Sequence, residues 1–248
     1  MDRIVSELAF HDRQAQKRAD AGVPLQFSDS DYLDHETWIR PAFAQLGDVS
    51  GLSVLDYGCG HGMAAVVLAR AGARVTAFDL SGGYVEEAKA RAQANNVHVD
   101  FVQANGEQLP FADASFDRVW GCAILHHLDL ARAGATLRRV LKPGGLAVFC
   151  EPWGGNPLLN VARRRLPYPG KHRTPDEMPL TRLQLQQLQA IFPCVQIRGF
   201  QLLSMARRLL QSRRLQKPLD WCDAMLLERI PFLEKYCRYV VLTLRNAQ

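Results

Sequence analysis

Three glycines at alternate positions, preceded by an acidic residue, form the most informative stretch of the sequence. Asp56 is followed by Gly58, Gly60 and Gly62 in the segment VLDYGCGHG, which lies between two apolar runs. Because glycine has no Cβ, the backbone can turn tightly there and a ligand can approach main-chain N–H groups. We therefore expect this stretch to bind a nucleotide-like cofactor where a strand ends and a helix begins.

A second acidic residue, Asp79, lies 23 positions after Asp56. A dinucleotide fingerprint requires G-x-G-x-x-G with an acid about 20 residues later, whereas here the glycine spacing is G-x-G-x-G. Asp79 can accept both ribose hydroxyls, as the acid does in any Rossmann-like site. A carboxylate at Asp56 would repel a pyrophosphate but suits a ligand with ammonium and sulfonium charges. The pattern favours S-adenosylmethionine over NAD.

Three further side chains follow predicted strands and could take part in chemistry. His126 and His127 come after the predicted strand 117–122, and Glu151 ends the predicted strand 146–150. Open α/β sheets place their sites at this edge. A neutral histidine, with a reference pKa of about 6.5, suits deprotonation of a hydroxyl acceptor. Glu151 could orient an amine acceptor or act as the base for carbon methylation, and a positioning role is an alternative for all three residues.

Short apolar strands alternating with helices predict the scaffold that positions these residues. This alternation indicates an α/β fold, a Rossmann-like doubly wound and mostly parallel sheet. The predicted strands are 53–57, 74–78, 97–102, 117–122 and 146–150, with helices at 63–71, 81–94 and 131–141.

The two ends of the chain are predicted to cover this core. Helices at 1–20 and 36–46 form an N-terminal cover, and the Pro-, Gly- and Arg-rich segment 152–180 forms an irregular lid. Beyond it we expect helices at 181–190, 205–216 and 221–230, a strand at 194–203 and a final antiparallel strand at 236–244. We predict one domain over 1–248, divided into the cover 1–48, the cofactor core 49–152, acceptor-side insertions 153–235 and the final strand 236–248.

Four motifs in order resemble the class I S-adenosylmethionine-dependent methyltransferases, in the branch that includes the ubiquinone/menaquinone-type enzymes. They are VLDYGCGHG at 54–62, VTAFDLS at 75–81, the segment 104–130 that contains AILHHLDL, and LRRVLKPGGLAVFCEP at 137–152. The resemblance covers roughly residues 50–152. It implies a methyltransferase that uses S-adenosylmethionine, and no metal-binding residue is predicted.

The resemblance also implies roles for individual residues around the cofactor. Asp56, Gly58 and Gly60, with Cys59 between the glycines, would line the methionine end, and Asp79 would bind the ribose. Asn105 stands where relatives usually have Asp, and its amide oxygen can still accept a hydrogen bond from the adenine amino group. The remaining expected cofactor contacts are Leu80, Gly106, Glu107 and Cys122.

Aromatic and cationic residues are expected to surround the acceptor. Arginine is suited to bidentate contact with a carboxylate or phosphate, so an anionic aromatic or lipid/quinone-like small molecule is the expected acceptor. The predicted acceptor-binding residues are Trp38, Trp153, Asn156, Arg163, Tyr168, His172 and Arg173.

Charge and composition restrict the partners. Residues 1–150 carry 14 basic and 18 acidic residues, whereas 151–248 carry 16 basic and 7 acidic ones. The excess of basic residues in 151–248 suits an anionic acceptor or peripheral contact with an anionic membrane, although solvated helix faces explain it equally well. Six cysteines without a C-x-x-C pair predict reduced thiols and a cytoplasmic protein. No nucleic-acid partner is expected, since the basic residues are not accompanied by a nucleic-acid-binding module. We expect either a monomer or a homodimer.

Oxygen-directed methylation of a small molecule is the leading functional prediction. N- or C-methylation, including that of a prenyl-type acceptor, is the alternative within the same class. A non-catalytic S-adenosylmethionine-binding protein is the alternative from a different class, because the glycine turn and its acids indicate binding alone.

Overall fold

A seven-stranded sheet forms the centre of the computed structural model, which describes residues 3–165, 178–208 and 213–247. The strands are β1 Ser53–Tyr57, β2 Arg74–Asp79, β3 Asp100–Gln103, β4 Phe116–Cys122, β5 Leu141–Pro152, β6 Cys194–Phe200 and β7 Tyr239–Arg245. Their order is β3-β2-β1-β4-β5-β7-β6, and β7 runs antiparallel to both neighbours. This architecture confirms the predicted Rossmann-like, mostly parallel sheet with an antiparallel C-terminal strand.

Helices cover both faces of the sheet. The α-helices are α1 Arg3–Asp20, α2 Asp29–Leu33, α3 Ile39–Ala44, α4 Met63–Arg70, α5 Gly82–Ala94, α6 Leu130–Val140, α7 Pro157–Arg165, α8 Arg182–Ile191 and α9 Arg213–Arg229. Short 3₁₀ helices span Leu125–His127, Ser204–Arg208 and Pro231–Tyr236. Within the described residues, no helix is both long and apolar enough to cross a membrane.

Alternation along the central strands creates two hydrophobic cores, one on each face. Val54 and Val148 pack into one core, and Leu55 and Ala147 pack into the other. Successive strand residues point to opposite faces, so a strand that is apolar on both sides must lie between two helical layers. Strand β1, which leads into the glycine turn, is therefore buried on both faces.

Side-chain caps are present at the starts of two helices. Ser81 accepts a hydrogen bond of 3.2 Å from Tyr84 N at the start of α5, and Thr181 accepts one of 3.3 Å from Gln184 N at the start of α8. These side-chain oxygens satisfy backbone donors that have no partner within the helix.

The structure differs from the prediction mainly after residue 140. Strand β5 begins five residues early because Leu141 already pairs with Phe116 before the Lys-Pro-Gly-Gly segment. The segment predicted to be irregular contains α7, and Asn156 Oδ1 caps this helix by accepting a hydrogen bond of 3.1 Å from Leu159 N. Helix α9 spans residues assigned to two separate predicted helices.

Candidate active site

A cavity of about 360 Å³ lies at the carboxyl ends of β1, β2 and β4, with α1 along one side. This is the edge at which open α/β sheets bind their ligands. The cavity is lined by Arg3, Ile4, Glu7, His11, Gly58, Gly60, His61, Phe78, Asp79, Leu80, Tyr84, Ala104, Asn105, Gly106, Glu107, Cys122, Ala123, Ile124, His127 and Leu128. A larger open groove of about 1170 Å³ lies beside β6 and α9, and none of the predicted site residues lines it.

The glycine turn after β1 requires glycine for two different reasons. Gly58, Gly60 and Gly62 all have positive φ values, of 73°, 50° and 82°. A Cβ on Gly58 would lie 2.7 Å from Ile124 Cγ1, and a Cβ on Gly62 would lie 2.6 Å from Ala88 Cβ. A Cβ on Gly60 would meet no atom within 4 Å, so the space beside this glycine is open. The turn is thus packed against its neighbours at both ends and accessible in the middle.

Asp79 fixes the glycine turn from the end of β2. Its Oδ2 accepts a hydrogen bond of 2.8 Å from Gly60 N, and its Oδ1 accepts one of 2.9 Å from Ser81 N. Burial raises the pKa of Asp79, and the two backbone N–H groups partly oppose this rise. Asp79 also lines the cavity, so its carboxylate is positioned to contact a ligand.

Asp56 lies beneath the turn rather than on the cavity wall. It is 2 % exposed, and its Oδ2 has no hydrogen-bond partner among the described residues. Burial, followed by repulsion from Asp79, raises the pKa of Asp56 to about 8. A cationic ligand beside these two carboxyl groups would relieve this repulsion. The site therefore fits a positively charged ligand better than a pyrophosphate.

The loop after β3 forms another wall of the cavity. Asn105 lines it, and its Oδ1 accepts a hydrogen bond of 2.9 Å from Glu107 N. Tyr57 O–H donates to the Gly106 carbonyl, which ties the loop to β1. Of the other predicted cofactor contacts, Leu80 and Cys122 line the cavity, whereas Cys59 does not.

Helix α1, whose N-terminal half lines the cavity, is tied to other elements at several points along its length. Near its start, Arg3 donates hydrogen bonds to Glu107 and to the His127 carbonyl. In the middle, Asp12 Oδ1 accepts a hydrogen bond from the Ser81 hydroxyl. Near its end, Arg18 lies 2.8 Å from a carboxylate oxygen of Glu87 on α5. These polar contacts hold the N-terminal half of α1 beside the cavity.

The two predicted catalytic histidines have different environments. His126 is buried, and its Nδ1 lies 2.7 Å from Glu151 Oε2. Glu151 is 0 % exposed, and its Oε1 accepts hydrogen bonds from the backbone N–H groups of Ile124 and Leu125. Neither His126 nor Glu151 lines the cavity, whereas His127 does. The structure thus separates a loop-fixing pair from one histidine that faces the cavity.

Two residues of α1 that the sequence analysis missed lie beside His127. Glu7 Oε2 lies 3.2 Å from His127 Nδ1 and 3.3 Å from His11 Nε2. All three residues line the cavity. Glu7 and His11 are four positions apart and therefore share one helix face, which is the only signal the sequence carries for them.

The structure does not bring the described members of the predicted acceptor set to the cavity. Trp38 is buried and stacks on Tyr239 with a ring-centroid distance of 3.9 Å. Trp153 is buried and donates a hydrogen bond of 3.1 Å to the Lys235 carbonyl. Both aromatic side chains belong to the packed interior because they bury large apolar surfaces.

The polar members of that set support the backbone around β5 and β7. Asn156 Nδ2 donates a hydrogen bond of 2.8 Å to the Tyr236 carbonyl, and Arg163 donates one of 2.8 Å to the Trp153 carbonyl. Backbone carbonyls, rather than a ligand, thus occupy these donors. Tyr168, His172 and Arg173 lie outside the described residues.

Sequence comparisons agree with the position of the cavity. Residues 55–149 match a family model described as a methyltransferase domain. Malonyl-[acyl-carrier protein] O-methyltransferase of Pseudescherichia vulneris is 36% identical over 151 residues, which are 60% of this chain and 55% of that protein. Demethylmenaquinone methyltransferase of Clavibacter sepedonicus is 38% identical over 117 residues, 47% of each chain. The chain spans about half the length of these curated relatives.

The fold is also shared with solved methyltransferase structures. Haemonchus contortus phosphoethanolamine N-methyltransferase 2, solved with phosphomonomethylethanolamine and S-adenosylhomocysteine, superposes with a TM-score of 0.59 and 18% identity. The match covers 91% of this chain and 61% of that one. The matched segment 55–149 begins in β1 and ends in β5, so it contains the glycine turn, Asp79 and the loop that carries His127. The chain therefore carries a class I S-adenosylmethionine-dependent methyltransferase domain.

Proposed function

We propose that this protein transfers the methyl group of S-adenosylmethionine to an oxygen atom of a small-molecule acceptor. The observation that carries the proposal is a single cavity in which the glycine turn and Asp79 are joined by His127. The first two features suit the cofactor, and the imidazole suits an acceptor that must lose a proton. Residues suited to the cofactor and a residue suited to the acceptor therefore line one cavity.

The residues around the turn fit the cofactor by charge and by shape. Asp79 would hold the ribose hydroxyls, and the open space at Gly60 admits a ligand close to the backbone. Asp56, buried beneath the turn, would add negative charge behind the methionine end of the cofactor. When bound, S-adenosylmethionine supplies a methyl carbon activated by its sulfonium charge.

On the acceptor side, His127 is proposed to accept the proton of the acceptor hydroxyl. Glu7 Oε2, at 3.2 Å from His127 Nδ1, would stabilise the imidazolium that results. Both side chains line the cavity, where the acceptor hydroxyl would meet the imidazole. His126 and Glu151 are proposed to position the loop that carries His127.

The proposed acceptor is a hydroxyl-bearing small molecule. Carboxylates and imidazoles dominate the polar lining of the cavity, and its guanidinium group, on Arg3, is paired with Glu107. The anionic group predicted on the acceptor depends on the arginine-rich segment, part of which lies outside the described residues. The anionic character of the acceptor therefore stays a prediction, as do the cytoplasmic location, the oligomeric state and the single-domain boundaries.

A methyl-transfer screen tests this proposal directly. The protein is incubated with methyl-labelled S-adenosylmethionine and fractionated small-molecule extracts, and labelled products are identified by mass spectrometry. We expect an O-methylated product together with S-adenosylhomocysteine. Calorimetry that detects binding of NAD but not of S-adenosylmethionine would contradict the proposal, and a product labelled on nitrogen or carbon would replace its oxygen specificity.

A further inference from the structure

We propose that Glu7, His11 and His127 form a binding site for a divalent transition-metal ion at the acceptor end of the cavity. The three residues can each offer one ligand atom, and these atoms lie within 4.8 Å of one another. Two imidazoles and one carboxylate are a ligand set that zinc uses in catalytic sites. No metal ligand was predicted from the sequence, and neither Glu7 nor His11 was among the predicted site residues.

The spacing of the ligand atoms suits a small cation. With metal–ligand bonds of about 2.0–2.1 Å, the ligand atoms of a tetrahedral site lie about 3.3 Å apart. Glu7 Oε2 lies 3.3 Å from His11 Nε2 and 3.2 Å from His127 Nδ1, so two of the three edges already have this length. A bound ion would have to draw only the two histidines closer together.

The backbone around the cluster is held firmly enough to present it. Glu7 and His11 lie one turn apart on α1, which is tied down at Arg3 and at Arg18. His127 ends the 3₁₀ helix after β4, whose backbone is bound by Glu151. Two separately supported elements thus converge on one point.

Nearby charges favour a cation at this point. Asp79 interacts electrostatically with His11, and it lines the same cavity as Glu7. Arg3, the positively charged side chain in the cavity lining, is paired with Glu107. Among the described lining residues, the carboxyl groups of Glu7 and Asp79 therefore favour a cation at this point.

An ion at this site would deepen the proposed function. Three protein ligands leave a coordination position open, and an acceptor oxygen that binds there loses its proton more readily, as metal-bound water does. In the ion-bound protein, His127 is a ligand, and the acceptor proton passes to solvent instead of to the imidazole. This consequence rests on the proposed methyl transfer, whereas ion binding itself does not.

Cobalt titration tests ion binding without an activity assay. The full chain is stripped with a chelator and titrated with Co²⁺, and the visible absorption is recorded. We expect one equivalent to bind, with d–d bands of a nitrogen and oxygen site and no thiolate-to-cobalt charge-transfer band. The thiolate band matters because the chain has six cysteines, of which Cys122 also lines the cavity.

Matched histidine variants locate the site. His11→Gln and, as a second ligand variant, Glu7→Gln should each weaken Co²⁺ binding at least about 100-fold, more than the loss of an outer-shell partner costs. His98→Gln changes a histidine whose side chain is 92% exposed and should bind Co²⁺ like the unaltered protein. Circular dichroism confirms that each variant is folded.

The outcomes separate the metal site from the proposed function. The metal site would be overturned if the unaltered protein does not bind Co²⁺ or shows a dominant thiolate band. It would also be overturned if His11→Gln and Glu7→Gln bind Co²⁺ as tightly as the unaltered protein. Titration of the unaltered protein with S-adenosylmethionine is the independent readout. If the unaltered protein binds Co²⁺ but not S-adenosylmethionine, the metal site stands and the proposed function fails.

Discussion

His126 Nδ1 and Glu151 Oε2 lie 2.7 Å apart in a pair that is almost completely removed from solvent. The same carboxylate also accepts two backbone hydrogen bonds, of 2.9 and 2.8 Å, from the loop after β4. Strand β5 therefore determines the conformation of the loop that carries His127. Glu151 does not line the cavity, but it supports the loop from which His127 reaches the cavity.

Replacing Glu151 by alanine should destabilise the protein by about 3–5 kcal/mol, because removing one partner of a buried pair leaves the other polar groups unsatisfied. Glu151→Gln keeps an oxygen that can accept from the two backbone N–H groups and should cost less. Urea unfolding of both variants measures the difference. Equal stability of Glu151→Ala and the unaltered protein would rule out the loop-fixing role.

Asp79→Ala should abolish detectable binding of S-adenosylmethionine, since it removes the proposed ribose contact and the acceptor for Gly60 N. Isothermal titration calorimetry provides the measurement. Asp113→Ala is the matched control, because the Asp113 side chain is 79% exposed and lies away from the cavity. Unchanged affinity in Asp79→Ala would refute the ribose role.

Asp56 should make stability and ligand binding depend on pH in opposite directions. Its pKa rises from 3.8 to about 8 on folding, so the folded protein retains a proton that the unfolded chain loses. The contribution of this group to stability is complete below pH 3.8 and declines as the pH rises to about 8. Binding of a cation requires the ionised carboxylate, so affinity for S-adenosylmethionine should rise over the same range.

Asp56→Asn tests both effects, because it replaces the carboxyl by a neutral group of similar shape. Above pH 8 we expect the free energy of unfolding to increase by about 2–4 kcal/mol, with a weaker cofactor affinity. Thermal unfolding across pH measures the first quantity and calorimetry the second. A variant whose stability follows the same pH profile as the unaltered protein would show that Asp56 is not the titrating group.

His127→Gln should lower turnover while S-adenosylmethionine affinity stays close to that of the unaltered protein, because His127 is proposed to act on the acceptor. Single-turnover rates across pH, measured with the acceptor found by the methyl-transfer screen, provide the readout. His98→Gln serves as the control on an exposed histidine. Wild-type rates at every pH in His127→Gln would exclude the proposed role.

Gly62→Ala should destabilise the turn by about 2–4 kcal/mol, from a left-handed φ of 82° and from a Cβ that would lie 2.6 Å from Ala88 Cβ. Gly22→Ala measures the cost of the left-handed φ alone, because Gly22 has a φ of 60° and open space around it. Denaturant midpoints compare the two variants. If both variants lose the same amount of stability, the close contact with Ala88 contributes nothing to the loss.

The parts of the site that are local in the chain could be predicted from the sequence. Strand β1 was predicted with the boundaries that the structure has, and Asp79 and the glycine turn lie together at the cavity. These features depend on neighbouring residues, because apolar alternation sets a strand and glycine permits a positive φ. Parallel pairing of β1 with β2 then brings the two strand ends to one edge.

Contacts between distant segments were decided by the tertiary structure. Trp38 and Arg163 have side chains suited to ligands, yet the fold uses them for core packing and backbone support. In the sequence, Glu7 and His11 indicate only a polar face of a helix. The packing of α1 in the tertiary structure places them beside His127. Periodicity reports only which side of an element is apolar, whereas long-range packing determines which polar groups meet. The sequence alone therefore predicted the glycine turn and Asp79 at one edge of the sheet, and only the packing of α1 brought Glu7 and His11 to His127.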